Sequence, residues 1–253
     1  MSPPSPDPTG IEYLPASGSL LIADSEVEET PLFAGANVFR ATTGGVLLAT
    51  SSTTAFSNEP AGIAVNAANG HVFFSDDKKK RVFEVHVGPD AQYGTADDSV
   101  TSFATPPFGS NDPEGLAFGA GKLYIADGAG AEVYVVDPGP NGAFDGVSEG
   151  GDDVVTHWDT LSLGQPDPEG IAFNGDLGTL FIVGNRATRD VTEATPQGAL
   201  VGWTDRAVLL GHAGSGGTGV RAWQRRSVGE GSLSGRPRAG QRADHHQQRR
   251  RNL

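Results

Sequence analysis

The sequence predicts an all-β chain, a β-propeller built from four-stranded antiparallel blades. Three observations lead there. An acidic–Pro–x–Gly motif recurs as Asp7-Pro8-Thr9-Gly10, Glu59-Pro60-Ala61-Gly62, Asp112-Pro113-Glu114-Gly115 and Asp167-Pro168-Glu169-Gly170, its glycines 52, 53 and 55 residues apart. A fixed period of that length marks a repeat architecture. Each copy opens a series of short apolar or β-branched runs separated by glycine turns, which is the pattern of a propeller blade. No segment of ten residues or more carries the 3.6-residue apolar period that a helical solenoid needs.

The third repeat is the clearest. Gly115-Leu116-Ala117-Phe118 begins an extended run, and Gly119-Ala120-Gly121 turns it. The strands 122–127, 132–137 and 153–158 follow, the first two rich in aromatic and β-branched residues. The second repeat places strands at 62–66, 71–76, 81–87 and 99–104. The first places them at 10–14, 19–24, 37–41 and 45–50, and the fourth at 170–174, 179–183, near 189–194 and 198–203. In the motif itself Pro lacks an amide proton and so fits just ahead of a strand. Gly lets inner strands come close to one another.

This gives a Pro/Ser-rich linker at 1–6, blades at 7–58, 59–111, 112–166 and 167–204, and an aberrant Arg/Gly-rich tail at 205–253. The repeat pattern stops before the blades could close on themselves, so the propeller is expected to be incomplete or unclosed. Residues 1–201 hold 8 Lys+Arg against 28 Asp+Glu, whereas 202–253 hold 10 Arg against 3 acids. The tail reads either as a basic arm for nucleic acid or an acidic partner, or as non-native sequence from a frame-shifted or truncated gene end. The abrupt change favours the second. Disorder is expected there in both cases, with His245-His246 an incidental pair.

Composition excludes several classes. The net charge is −13 and there is no cysteine, so neither disulfides nor thiolate metal sites exist. The acidic body disfavours nucleic acid and favours cations. No apolar stretch reaches the roughly 20 residues that span a bilayer. The start, Met1-Ser2-Pro3-Pro4-Ser5-Pro6, has no apolar core of a signal peptide. Zinc-protease and P-loop motifs are absent. His71, His86 and His157 lie on or beside strands, and no two share a metal-like spacing. Lys78-Lys79-Lys80-Arg81 reads as a solvated turn.

The chemistry candidates are carboxylates. Two loops between third and fourth strands open with Gly-Pro-(Asp/Asn), carry a mid-loop aromatic and end in Asp-Asp: 88–98 and 139–153. Asp90, Asp97 and Asp98 in one, and Asn141, Asp145, Asp152 and Asp153 in the other, are the oxygen types that Ca²⁺ takes. The spacing is not that of an EF-hand, and an acidic loop protecting a strand edge is an equal reading. A weaker, axial set is Asp24, Asp76 and Asp127, in register at the ends of second strands. There the turn-capping reading is favoured. Glu114 and Glu169, with Glu59 and Asp7, are weak catalytic candidates should they converge at an axial mouth.

The Asp-Pro-Glu-Gly-(Leu/Ile)-Ala-Phe run and the following Leu123-Tyr124-Ile125-Ala126-Asp127 resemble the six-bladed, TolB-like propeller superfamily over residues 7–203. That superfamily includes NHL-repeat proteins, gluconolactonase/regucalcin-like lactonases and phytase-like esterases. The lactonase resemblance implies an axial divalent metal held by Glu, Asn and Asp from different blades, with Glu114 or Glu169 comparable to one ligand. The family's opening Glu-Gly-Pro motif is absent and position 9 is Thr. The loop insertions look like those of secreted, calcium-rich bacterial propellers.

The expected function is therefore a secreted or cell-surface binding or scaffold module, part of a larger protein. It would be steadied by Ca²⁺, bind a protein or carbohydrate ligand and pack on the remaining blades of its parent. The residues lean against catalysis. The alternatives are a metal-dependent hydrolase of lactonase or phosphoesterase type, using axial carboxylates and another divalent metal, and a truncated, non-functional fragment.

Overall fold

The computed structural model describes residues 5–25, 27, 31–90 and 93–204. The tail, with His245-His246, and the first four residues lie outside the described residues. Among the described residues sixteen strands form four separate sheets. The first holds β1 (Pro8–Leu14), β2 (Ser19–Asp24), β3 (Val38–Thr42) and β4 (Leu47–Ser51). The second holds β5 (Ile63–Val65), β6 (Val72–Asp76), β7 (Arg81–His86) and β8 (Ser99–Ala104). The third holds β9 (Pro113–Gly119), β10 (Lys122–Asp127), β11 (Glu132–Asp137) and β12 (Val154–Asp159). The fourth holds β13 (Pro168–Asn174), β14 (Thr179–Gly184), β15 (Val191–Ala194) and β16 (Leu200–Thr204). Every sheet is a four-stranded antiparallel meander in chain order, and the sheets are arranged as propeller blades.

The recurring motif is a β-bulge. Pro8 pairs with Asp24 while Gly10 pairs with Ala23, so Thr9 is the extra residue. Pro168 pairs with Gly184 and Gly170 with Val183, leaving Glu169 extra. Blade three shifts in the same place, between Asp127↔Pro113 and Ile125↔Leu116. Pro is therefore the first residue of the inner strand in blades one, three and four, not the residue before it. The bulge bends the chain and re-aims the x residue. Several other boundaries shift by a residue or two, and two of the shifts have a clear cause. β16 begins at Leu200 because Gly198, at φ 83°, belongs to a turn closed by Thr195 N–H to Ala199 O at 2.8 Å. β12 begins at Val154 because the Asp153 amide is spent on the Gly146 carbonyl.

Successive blades meet through these corners. A Cβ on Gly10 would stand 2.8 Å from the Ala61 carbonyl oxygen, and one on Gly115 would stand 2.6 Å from that of Glu169. A Cβ on Gly62 would overlap the Glu114 carbonyl oxygen. Only glycine allows such an approach. Among the described residues, inner strands pack β1 on β5, β5 on β9 and β9 on β13, with no comparable packing of β13 on β1. The blades thus form an open arc.

The core follows from that geometry. Each strand alternates its side chains between two faces, and each inter-blade space fills with one cluster. Leu21, Ile63, Val72 and Phe74 lie between blades one and two, and Phe73, Leu116, Ile125 and Phe144 between two and three. Tyr124, Val133, Leu180 and Ile182 lie between three and four. The outer faces of the terminal blades expose Ile11 and Tyr13 on β1 and Val183 on β14.

Candidate functional site

The two acidic loops leave the same end of their blades, after β7 and after β11, and each sends its aromatic into the space before its own blade. Tyr93 packs on Phe74, with ring centroids 5.6 Å apart. Phe144 packs on Phe73 and on Phe118, at 5.2 and 6.0 Å. The shared aromatic is therefore a latch between blades.

In the loop 139–153 the carboxylates gather. Asp145, Asp152 and Asp153 each bring an oxygen within 4.8 Å of the others. Asn141 Nδ2 donates to Asp145 Oδ2 at 2.8 Å, and the Asp152 amide donates to Asp145 Oδ1 at 3.0 Å. Asp153 is 7% exposed, and its Oδ2 accepts from the Gly146 amide at 2.7 Å. Its Oδ1 is buried with no hydrogen-bond partner. Burial raises the Asp153 pKa to about 6; the Asp145 and Asp152 charges add to the rise, and the Gly146 and Asp145 amides oppose it. A buried, unpartnered carboxylate oxygen costs at least about 1–3 kcal/mol. A hard cation would supply the missing partner, and the donor set of three carboxylates suits Ca²⁺ completed by carbonyls and water.

The loop 88–98 is organised differently. Asp98 Oδ1 accepts from the Gly88 amide at 3.0 Å, and its Oδ2 accepts from the amides of Gly94 and Thr95 at 2.7 and 3.2 Å. Asp97 accepts from the Thr95 hydroxyl at 2.6 Å and from the Asp90 amide at 3.3 Å. The Thr95 bond holds the Asp97 carboxyl below its ordinary range. Among the described residues Asp90, Asp97 and Asp98 do not form one ligand cluster.

Asp24, Asp76 and Asp127 are buried and used inside their own blades. Asp127 Oδ2 accepts from the amides of Asn111 and Asp112 at 2.8 and 3.2 Å, and Oδ1 from that of Gly130 at 2.6 Å. Asp76 accepts from the Ser57 hydroxyl at 2.7 Å and the Lys79 amide at 2.6 Å. Asp24 accepts from the Ser5 hydroxyl and the Asp7 amide. Each ties the chain entering the inner strand to the second strand of the blade. In blade four Gly184 takes this place, and a Cβ there would overlap the Asp167 carbonyl oxygen.

The bulge glutamates meet other acids. Glu114 lies with Asp77 and Asp112 so that one oxygen of each is within 4.8 Å of the others. Burial, then the charges of Asp77, Glu169, Asp112 and Asp167, push the Glu114 pKa up to about 8. Burial and the neighbouring acids also raise Glu169 and Asp112. Glu59 and Asp7 have other partners: Lys78 Nζ stands 3.2 Å from Glu59 Oε1, and the Ser25 hydroxyl donates to Asp7 at 2.8 Å. Asp77 is the member that sequence reasoning missed. Its place directly after the strand-end Asp76 was the available signal.

A pocket of about 310 Å³ opens between blades one and two, lined by Leu14, Arg40, Val65, Val72, Val87 and the loop aromatic Tyr93 among others.

No family model matches the chain, and no curated protein matches it. Among solved structures, similar ones include a catalytically inactive virginiamycin B lyase from Staphylococcus aureus, at 17% identity and TM-score 0.46, with 77% of this chain and 69% of that one covered. A streptogramin B lyase is 14% identical at TM-score 0.48, with 81% and 71% covered. Regucalcin of Agrobacterium tumefaciens, a calcium-binding protein, is 17% identical at TM-score 0.45, with 70% and 52% covered. The sheets themselves, four meanders packed corner to corner through bulged inner strands, make this chain a β-propeller arc.

Proposed function

We propose that the chain is a propeller binding and scaffold module of a larger secreted or cell-surface protein, steadied by Ca²⁺ in the loop between β11 and β12. The observation that carries this reading is the buried, unpartnered Oδ1 of Asp153 beside the carboxylates of Asp145 and Asp152. An ion there would tie the loop down and, through Phe144, hold blade three against blade two. The rest of the surface offers an apolar pocket with Arg40 at its wall, suited to a protein or carbohydrate ligand. The exposed outer faces of blades one and four are where the remaining blades of the parent would pack.

The test is thermal unfolding of the full chain with Ca²⁺ and with chelator. A cation that binds only the folded state raises the midpoint with its concentration. We expect a Ca²⁺-dependent rise that Asp153→Asn and Asp145→Ala remove. A midpoint indifferent to Ca²⁺ in the unmodified chain sinks the reading.

A second reading is a metal-dependent hydrolase of lactone or phosphoester type, favoured by one observation, the gathering of Glu114, Asp77 and Asp112 oxygens within 4.8 Å of one another, which with burial pushes the Glu114 carboxyl up to about 8. A carboxyl protonated near neutrality can donate a proton, and crowded acids favour a divalent cation. Turnover of a lactone or a phosphomonoester with added divalent metal, lost in Glu114→Gln, would support it.

A further inference from the structure

The sequence places His71 and His86 fifteen residues apart, with no metal-like spacing along the chain. Strand pairing brings them together. Val72 pairs with Val85, so His71 and His86 face each other one step further along the same ladder. Glu84 precedes His86 by two residues and so projects from the same face. His71 Nδ1 stands 2.7 Å from Glu84 Oε1, and His86 Nε2 stands 3.7 Å from Glu84 Oε2. The two rings meet edge-on with centroids 4.3 Å apart. The Glu84 side chain is 7% exposed, against 21% and 33% for the two imidazoles. A buried carboxylate is thus flanked by two histidines that reach solvent.

The geometry points to a transition-metal site at this end of blade two, with His71, Glu84 and His86 as ligands for an ion of the Zn²⁺ type. The three residues offer ligand atoms within 4.8 Å of one another. Zn–N and Zn–O bonds of about 2.0–2.2 Å place tetrahedral ligands about 3.4 Å apart. The existing separations bracket that value, so the site closes by small rotations. Binding displaces the proton between His71 and Glu84, since the ligands must be deprotonated. His86 Nε2 leaves its contact with the Thr101 hydroxyl, now 2.8 Å long. Three protein ligands leave a fourth position for water. Imidazole selects Zn²⁺, Cu²⁺ or Ni²⁺ over Ca²⁺, so this site is independent of the aspartate loop.

The fold does not require the triad. In blade three the equivalent positions are Lys122, Val135 and Asp137, where Lys122 pairs with Asp137 across the strands. In blade four the buried Glu193 is held by the Thr179 hydroxyl at 2.7 Å. Blade two instead sets two converging imidazoles around its glutamate.

The test is calorimetric titration of the chelator-stripped full chain with ZnCl₂ alone, followed by Co²⁺ absorption in the visible. We expect His86→Ala to weaken Zn²⁺ binding at least about tenfold and Glu84→Gln to weaken it as well. His157→Ala, which alters the His157–Glu132 pair of blade three, leaves it unchanged. The Co²⁺ form should show the intense bands of four-coordination, lost in His86→Ala. Identical Zn²⁺ isotherms for the unmodified chain and His86→Ala, or only the weak spectrum of six-coordinate Co²⁺, overturn the proposal. Excess Ca²⁺ should not compete, so this result stands whether or not the aspartate loop binds Ca²⁺.

Discussion

The ring of Phe144 stands edge-on to that of Phe73, with planes at 81° and centroids 5.2 Å apart. One residue belongs to the acidic loop of blade three and the other to the second strand of blade two. The loop that gathers Asp145, Asp152 and Asp153 is therefore also a clasp between blades.

Phe144→Ala should destabilise the chain by about 3 kcal/mol or more, the cost of deleting a buried aromatic and leaving a cavity. Urea unfolding measures it. A loss below about 1 kcal/mol would mean that the loop is not a clasp.

Asp127→Ala leaves the amides of Asn111, Asp112 and Gly130 without their acceptor. The expected loss is about 2–4 kcal/mol, since bonds to a charged group are the stronger kind and buried donors are left unpaired. Asp127→Asn should recover part of it, because one amide oxygen remains. Denaturant midpoints for the three chains give the comparison.

Gly62→Ala drives a methyl into the backbone of Glu114 and Leu116, and a backbone cannot rotate aside. A loss of about 2–3 kcal/mol is expected from such overpacking. Gly175→Ala is the control, with open space around its added Cβ. Equal thermal midpoints for the two variants would contradict corner-to-corner packing.

Stability should also depend on pH through Glu114, whose carboxyl is raised from 4.5 to about 8. The folded chain binds this proton more tightly than the unfolded chain does. Its contribution is full below about pH 4.5 and is lost as pH rises towards 8. Glu114→Gln removes that dependence, so the variant should gain on the unmodified chain as pH climbs from 5 to 8. Water at the partly open site screens the effect, leaving a gain on the order of 1 kcal/mol. Unfolding curves at several pH values check the slope, and parallel curves would refute the assignment.

Glycine periodicity, strand alternation and turn residues relate near neighbours along the chain. That is why the four blades, and nearly every strand within them, could be read before any coordinates. The strand-end aspartates could be read as turn-capping residues for the same reason, because a side chain bonding nearby amides is local chemistry. The bulge at Thr9, Glu114 and Glu169 was less legible. Pro suggests a strand start, but only the pairing partner shows that one residue is extra.

The two acidic loops share a composition, and their sequences do not separate them. Asp98 turns onto the amides of its own loop and Asp97 onto the Thr95 hydroxyl and the Asp90 amide, whereas Asp153 is buried with one oxygen unpartnered. Glu114 meets Asp77 across a blade boundary, and His71 meets His86 across a strand ladder. Local covalent and conformational preferences set the elements of this chain. Which charges share a low-dielectric space is decided by contacts between residues far apart in sequence, and these exist only once the blades have packed.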